Sequence, residues 1–134
     1  MRRLVVAAAV AAVAAAFAPS ALACSCIAPS TPRADLARAD GAVVGVYVGR
    51  YRASASAFLY TFRDVRSVKG RFPARFTVRS GTNSASCGLQ VRKGQRVGLL
   101  LHRVDGRWTS SLCDQRAATF FRGVGSRQLA SACS

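Results

Sequence analysis

A-F-L-Y-T-F-R-D-V-R-S-V-K-G, Ala57 to Gly70, is the stretch that sets the fold. Phe58, Tyr60 and Phe62 recur at every second position, the period of a half-buried strand. Val65 then falls on the other phase. A phase slip inside a strand predicts a bulge near Arg63 and Asp64, and a bulge bends a strand around a small barrel. Lys69-Gly70 marks the turn that ends it.

The neighbouring segments extend the pattern. Upstream, Ala42 to Tyr51 reads as a strand, with Val44, Val46 and Val48 on one face and Gly45, Tyr47 and Gly49 opposite. Arg52 to Ala57 is a small polar turn. Thr31-Pro32, followed by Asp35, predicts a short helix that Gly41 ends. Downstream, Arg75 to Arg79 is a third strand, and the loop Ser80 to Ser86 delivers Cys87. Lys93-Gly94 turns into a fourth strand, Gln95 to Val104, where Val97, Leu99 and Leu101 alternate. Asp105-Gly106 is a strong hairpin signal. It leads to a fifth strand, Arg107 to Leu112, ending at Cys113. The tail, Asp114 to Ser134, carries Phe120, Phe121 and Leu129 and predicts one or two short helices packed on the strands. The expected fold class is mainly β: a five-stranded OB-like Greek-key barrel with short flanking helices and a disulfide-tied N-terminus. An immunoglobulin-like sandwich wants about seven strands and a Cys…Trp…Cys spacing. Trp108, only five residues before Cys113, does not fit that spacing.

The N-terminus has three parts. Met1-Arg2-Arg3 is a basic head, Leu4 to Phe17 is apolar throughout, and Ala21-Leu22-Ala23 has small residues where a signal peptidase reads. Residues 1–23 are therefore read as a secretory signal peptide. The apolar run is shorter than the ~20 residues a transmembrane helix needs. Residues 24–134 remain as one domain with one core, secreted and beginning at Cys24. The alternative is a lipid anchor on Cys24 at the outer face of the membrane. Lipidation signals prefer a branched aliphatic residue three before the cysteine, where Ala21 stands.

All five cysteines, Cys24, Cys26, Cys87, Cys113 and Cys133, follow that leader. An exported chain meets an oxidising compartment, so disulfides are expected. Cys24 and Cys26 are poor partners for each other, because a C-x-C ring is strained. They are expected to reach separately to Cys87 and Cys113, in either pairing. Five is odd, which leaves one thiol over, assigned to Cys133.

The chain has 20 basic residues against 5 acidic ones, and every acid is Asp. Losing Arg2 and Arg3 with the leader lowers the formal charge from +15 to about +13. Such a charge favours anionic surfaces: an envelope polymer, a lipid headgroup layer or nucleic acid. No basic cluster is interleaved with aromatics, so no specific nucleic-acid partner is expected. Enzyme chemistry finds little support. His102 is the sole histidine and reads as a surface or half-buried residue. No Glu or second histidine stands by to complete a metal site. There is no nucleophile elbow, no paired carboxylates and no phosphate-binding glycine loop. A C-x-C redox pair would want a C-x-x-C beside a βαβ unit. No catalytic residue and no cofactor is expected.

C-S-C-I-A-P after a signal peptide (Cys24–Pro29) resembles the tissue inhibitors of metalloproteinases and the wider netrin-like domain, whose mature chains begin with C-x-C. V-Y-V-G (Val46–Gly49) is similar to the end of that family's first strand. Y-T-F-R-D-V-R-S-V-K-G (Tyr60–Gly70) is similar to its second strand and turn. S-A-S-C-G (Ser84–Gly88) is similar to the loop around a cysteine that pairs with the first residue. W-T-S-S-L-C (Trp108–Cys113) is similar to the strand that ends at the partner of the second cysteine. The resemblance covers most of the mature domain. It implies an OB-like barrel with Cys24–Cys87 and Cys26–Cys113 bridges. It also implies an inhibitor of zinc metalloproteases, in which the amine and carbonyl of Cys24 chelate the protease's zinc. Ser25 would enter the adjoining specificity pocket. Cys26 and Ile27 would follow along the cleft, and Ser84, Ala85, Ser86, Cys87 and Gly88 would complete the ridge. The alternative is a cationic envelope module of the same fold, binding anionic polymer, lipid or a partner protein. The chain departs from the family in its third bridge. Cys133 matches one half, but no cysteine lies near Leu36–Ala37 to match the other. Cys133 is then open to a disulfide-linked homodimer.

Overall fold

The computed structural model describes residues 24–26 and 30–124. Residues 1–23, expected to be a signal peptide, Ile27, and the tail with Leu129 and Cys133 lie outside the described residues.

The described chain is mainly β. Helix α1 spans Pro32–Arg38, and the strands are β1 (Gly41–Ser54), β2 (Ala57–Lys69), β3 (Phe76–Gly81), β4 (Arg96–Val104), β5 (Arg107–Thr109) and β6 (Gln115–Ala117). Thr31 caps α1 through its hydroxyl, which accepts from the Ala34 amide at 3.3 Å. β1 pairs antiparallel with β2, and β2 with β3. β3 meets β5 in parallel, at Arg79 and Thr109. β5 pairs antiparallel with β4, and β4 returns to β1. The five strands thus form a closed ring.

The expected bulge is present. Val44 pairs with Arg66 and Val46 with Arg63, so Asp64 and Val65 together stand opposite Gly45. Asp64 takes a left-handed φ of 51°, a conformation that Asp tolerates better than most residues. β1 and β2 run longer than the alternation suggested, and only Ala55 and Ser56 separate them.

The alternation of β1 places Val44 and Tyr47 on opposite faces, and both faces are covered. Val43 and Tyr47 join Tyr60, Phe62, Val78, Leu99 and Leu101 in one buried cluster. Ala42 and Val44 join Leu36 of α1, Val68, Leu100 and Phe121 in a second. Successive side chains of a strand point to opposite faces, so α1 and the turn at Phe121 coat the back of the strand that lines the ring. Each large side chain buried this way contributes about 2–3 kcal/mol. Phe72 plugs the end where β2 connects to β3, with its ring 4.9 Å from that of Phe76 and 5.1 Å from that of Trp108.

Two expectations are corrected downstream. The fifth strand ends at Thr109, not Leu112. Ser110 is buried, and its hydroxyl donates to the Leu100 carbonyl at 2.8 Å, which turns the chain inward. The tail begins with a short strand, not a helix. β5 covers only His102 to Val104 of β4, and β6 pairs with Val97 to Leu99 further along the same edge. Backbone groups need partners when buried, and the short β5 leaves room for β6 to supply them.

Candidate functional site

Cys24 and Cys26 diverge to two different loops. Cys24 is bridged to Cys87 with 5.6 Å between the Cα atoms, and Cys26 to Cys113 with 5.1 Å. Cys24 is half-buried, whereas Ser25 and Cys26 are exposed. Beside them run Ser84, Ala85 and Ser86, also exposed. The two segments form one ridge. Gly88 is buried and acts as packing beneath it.

The loop is rigid for backbone reasons. Gly81 and Gly88 touch main chain to main chain. A Cβ on Gly88 would lie 2.4 Å from the Gly81 carbonyl oxygen, and one on Gly81 would lie 2.3 Å from that of Ser86. No side chain fits at either position. Asn83 closes the turn Ser84–Ser86 reciprocally. Its Oδ1 accepts from the Ser86 amide at 3.0 Å, and its own amide donates to Ser86 Oγ at 3.2 Å. Cys87 sits in the left-handed region at φ 54°, which costs a non-glycine residue about 1–3 kcal/mol. The Cys87 amide donates to the Ser84 carbonyl at 3.2 Å, and the Cys87 carbonyl accepts from Leu112 at 2.8 Å. Those bonds and the bridge hold the residue there.

The second bridge rests on a polar support. Cys113 lies in the turn Leu112–Asp114. The Asp114 carboxylate accepts from Ser111 Oγ at 2.6 Å and faces His102 Nε2 at 3.1 Å. Arg116 Nη1 donates to the Cys113 carbonyl at 2.7 Å, and Arg116 Nε donates to Asp35 at 2.8 Å. Arg38 donates to the other Asp35 oxygen. Asp35 is fully buried. Burial by itself pushes its carboxyl up. Hydrogen bonds from Arg116 and Ser30, with the charges of Arg116 and Arg38, outweigh burial and hold the group below its ordinary value of 3.8. A groove of about 330 Å³ runs between these groups and the ridge, lined by Ser25, Cys26, Asp35, Arg38, His102 and Arg116 among others.

No group of three or more His, Cys, Asp or Glu suited to a metal ion occurs among the described residues. Sequence reasoning assembled the ridge residues but missed their support. Asp35 was visible only as an acid in a helix's first turn, and its partner Arg116 lies 81 residues away. No protein-family model matches the chain, and no curated protein matches it.

Proposed function

We propose that the chain, cut before Cys24, is a secreted OB-like inhibitor of zinc metalloproteases. One observation carries the reading. Two bridges and a glycine-packed loop hold Cys24-Ser25-Cys26 against Ser84–Ser86 as an exposed, constrained ridge. The strand ring supports the OB-like part: its order is β1-β2-β3-β5-β4 and back to β1, with β3 and β5 parallel. Disulfides form and persist in oxidising, non-cytoplasmic compartments, which supports export.

The chemistry follows from the first residue. An α-amine titrates near pH 8, so shedding its proton at neutral pH costs little. The neutral amine and the Cys24 carbonyl then offer two donors to a zinc that keeps a position open for water or substrate. Ser25 projects into the adjoining pocket, and Cys26 follows along the cleft. Because the bridges order the ridge beforehand, little conformational freedom is lost on binding.

The test compares two bridged proteins, one starting at Cys24 and one with a single alanine before it. Both are assayed against a panel of zinc endopeptidases. The first should inhibit at least one of them, and the extension should weaken that inhibition by about a hundredfold or more, because loss of a zinc ligand removes a large share of the binding energy. Equal potency of the two proteins, or no inhibition by the first, overturns the reading. An intact mass measurement of the exported protein checks the premise. An acylated Cys24 has no free amine to offer.

A further inference from the structure

β1 outruns its partner on one side. β2 accompanies it to the turn, where Ser54 pairs with Ala57. β4 accompanies it only from Gly41 to Val46. The last contact on that side is Tyr47, whose main chain bonds to Gly94 and Gln95 at 2.8 and 2.9 Å. Among the described residues, no main chain pairs with residues 48–54 on the side away from β2. This part of β1 is therefore an open edge. The register shifts on either side of it leave a regular run between them. Gly49, Arg50, Tyr51 and Arg52 pair in turn with Thr61, Tyr60, Leu59 and Phe58. Alternate residues of an antiparallel pair turn their N–H and C=O away from the partner, so half of this run offers a donor and an acceptor to the open side.

The edge is uncovered. Free edges are commonly blunted by proline, lysine or other charged side chains. This stretch has no proline and no lysine, and its two arginines lean the other way, over β2. The Arg50 guanidinium lies 4.3 Å from the centre of the Phe58 ring and donates to Tyr60 Oη at 3.0 Å. The Arg52 guanidinium lies 5.0 Å from the same ring centre and donates to the Ala55 carbonyl at 3.1 Å. Each guanidinium has five N–H donors, so most of them remain free. Residues 50 and 52 share one face of the strand, and Tyr51 lies on the other. Tyr51 is 57% exposed, and the Leu59 that pairs with it is half-buried. Asp64 is the only carboxylate in β1, β2 or β3, and it is ion-paired with Arg63 in the bulge.

We propose that this edge takes up an extended acidic segment of a partner protein as an added strand. Main-chain bonds to the open side of β1 supply the attachment, and alternate side chains supply the selection. Acids at alternate positions of the segment fall on the face of Arg50 and Arg52. An apolar residue between them falls on the face of Tyr51 and Leu59. Opposite charges on neighbouring strands attract, and like charges directly opposite are destabilising. The same rule disfavours a second copy of this chain. Antiparallel pairing centred on Tyr51 would set Arg50 of each copy against Arg52 of the other.

The bridged protein starting at Cys24 is titrated with the peptide acetyl-Thr-Glu-Val-Glu-Val-Glu-Thr-amide. Its isomer Thr-Glu-Glu-Glu-Val-Val-Thr, with the same ends and charge, should bind about fivefold more weakly or worse, because its acids no longer share a face. Two N-methylated forms of the first peptide test the main chain, one blocked at the valines and one at the glutamates. Only one set of nitrogens faces β1, so one form should lose about tenfold or more and the other should stay within about threefold. The double variant Arg50→Gln, Arg52→Gln should lose about fivefold or more, while Arg66→Gln, Arg75→Gln, which removes the same charge elsewhere, should stay within about twofold. Equal binding of the two isomers, of the two methylated forms or of the two double variants would mean that net charge alone attracts the peptide, and would overturn the proposal. A concentration-dependent dimer in sedimentation, without peptide binding, would give the edge to a second copy and overturn it too. Adding alanine before Cys24 should leave peptide binding unchanged, so this proposal and the inhibitor reading fail separately.

Discussion

The strand ring and the ridge achieve rigidity in opposite ways. The ring is held by burial: Phe62, Val78 and Leu101 are fully inaccessible, and a second apolar layer backs β1. The ridge cannot use burial, because Ser25, Ser84, Ala85 and Ser86 are exposed. It relies instead on two covalent bridges, on Gly81 against Gly88 and on the Asn83–Ser86 box. An exposed segment on a small domain thus takes its order from covalent and backbone constraints, and the core beneath supplies only the platform. Arg116 links the two, since one guanidinium bonds both the buried Asp35 of α1 and the carbonyl of the bridged Cys113.

That contrast can be broken from either side. The largest effect is expected in the ring. Phe62→Ala should lower unfolding stability by about 4 kcal/mol, through lost burial and the cavity left behind. A denaturant titration reads it, and a loss below about 1 kcal/mol would mean that the bridges, not the core, carry the ring. The next effect is at the link. Asp35→Asn leaves Arg116 and Arg38 without their carboxylate and should cost about 3 kcal/mol at neutral pH. Its pH dependence has a definite sign. The native carboxyl titrates below 3.8, its ordinary value. Its stabilisation is therefore complete above about pH 4 and is lost as pH falls through the lowered native value. The wild-type chain should lose stability in that acid range, and Asp35→Asn should flatten that part of the curve. Parallel acid limbs in the two proteins would remove Asp35 from the account. The smallest effect is in the ridge. Asn83→Ala removes the cap and should cost only about 1 kcal/mol, yet it should loosen Ser84–Ser86. Amide hydrogen exchange should quicken at Ser86 and Gly88 while β4 stays protected. Uniform protection would show that the bridges and glycines suffice without the cap.

Much of this was legible in the chain itself, where the signal is local. The phase slip after Phe62 announced the bulge, the Asp105-Gly106 pair announced the hairpin, and Thr31-Pro32 announced α1. The residues of the ridge were also readable, through the C-x-C motif and the S-A-S-C-G loop. The bridges Cys24–Cys87 and Cys26–Cys113, implied by the family resemblance, are both present. What sequence reading misplaced depended on neighbours distant in the chain. The period of β1 separated its two faces, but nothing local revealed that α1 and Phe121 cover one of them. The tail looked helical because nothing local reveals that β4 offers an edge to Gln115–Ala117.

The sequence by itself determined the strand lengths to within a few residues, the turns, the cysteine frame and the excess of arginine. Each of these rests on side-chain period, turn chemistry or composition, which a few adjacent residues or a simple count suffice to express. Only the tertiary structure decided that β1 is covered on both faces, by the interior of the ring and by α1 with Phe121. It alone decided that Asp35 meets Arg116 beneath the Cys26 bridge. Those juxtapositions are products of ring closure, which brings together residues whose separation along the chain carries no signal of their proximity.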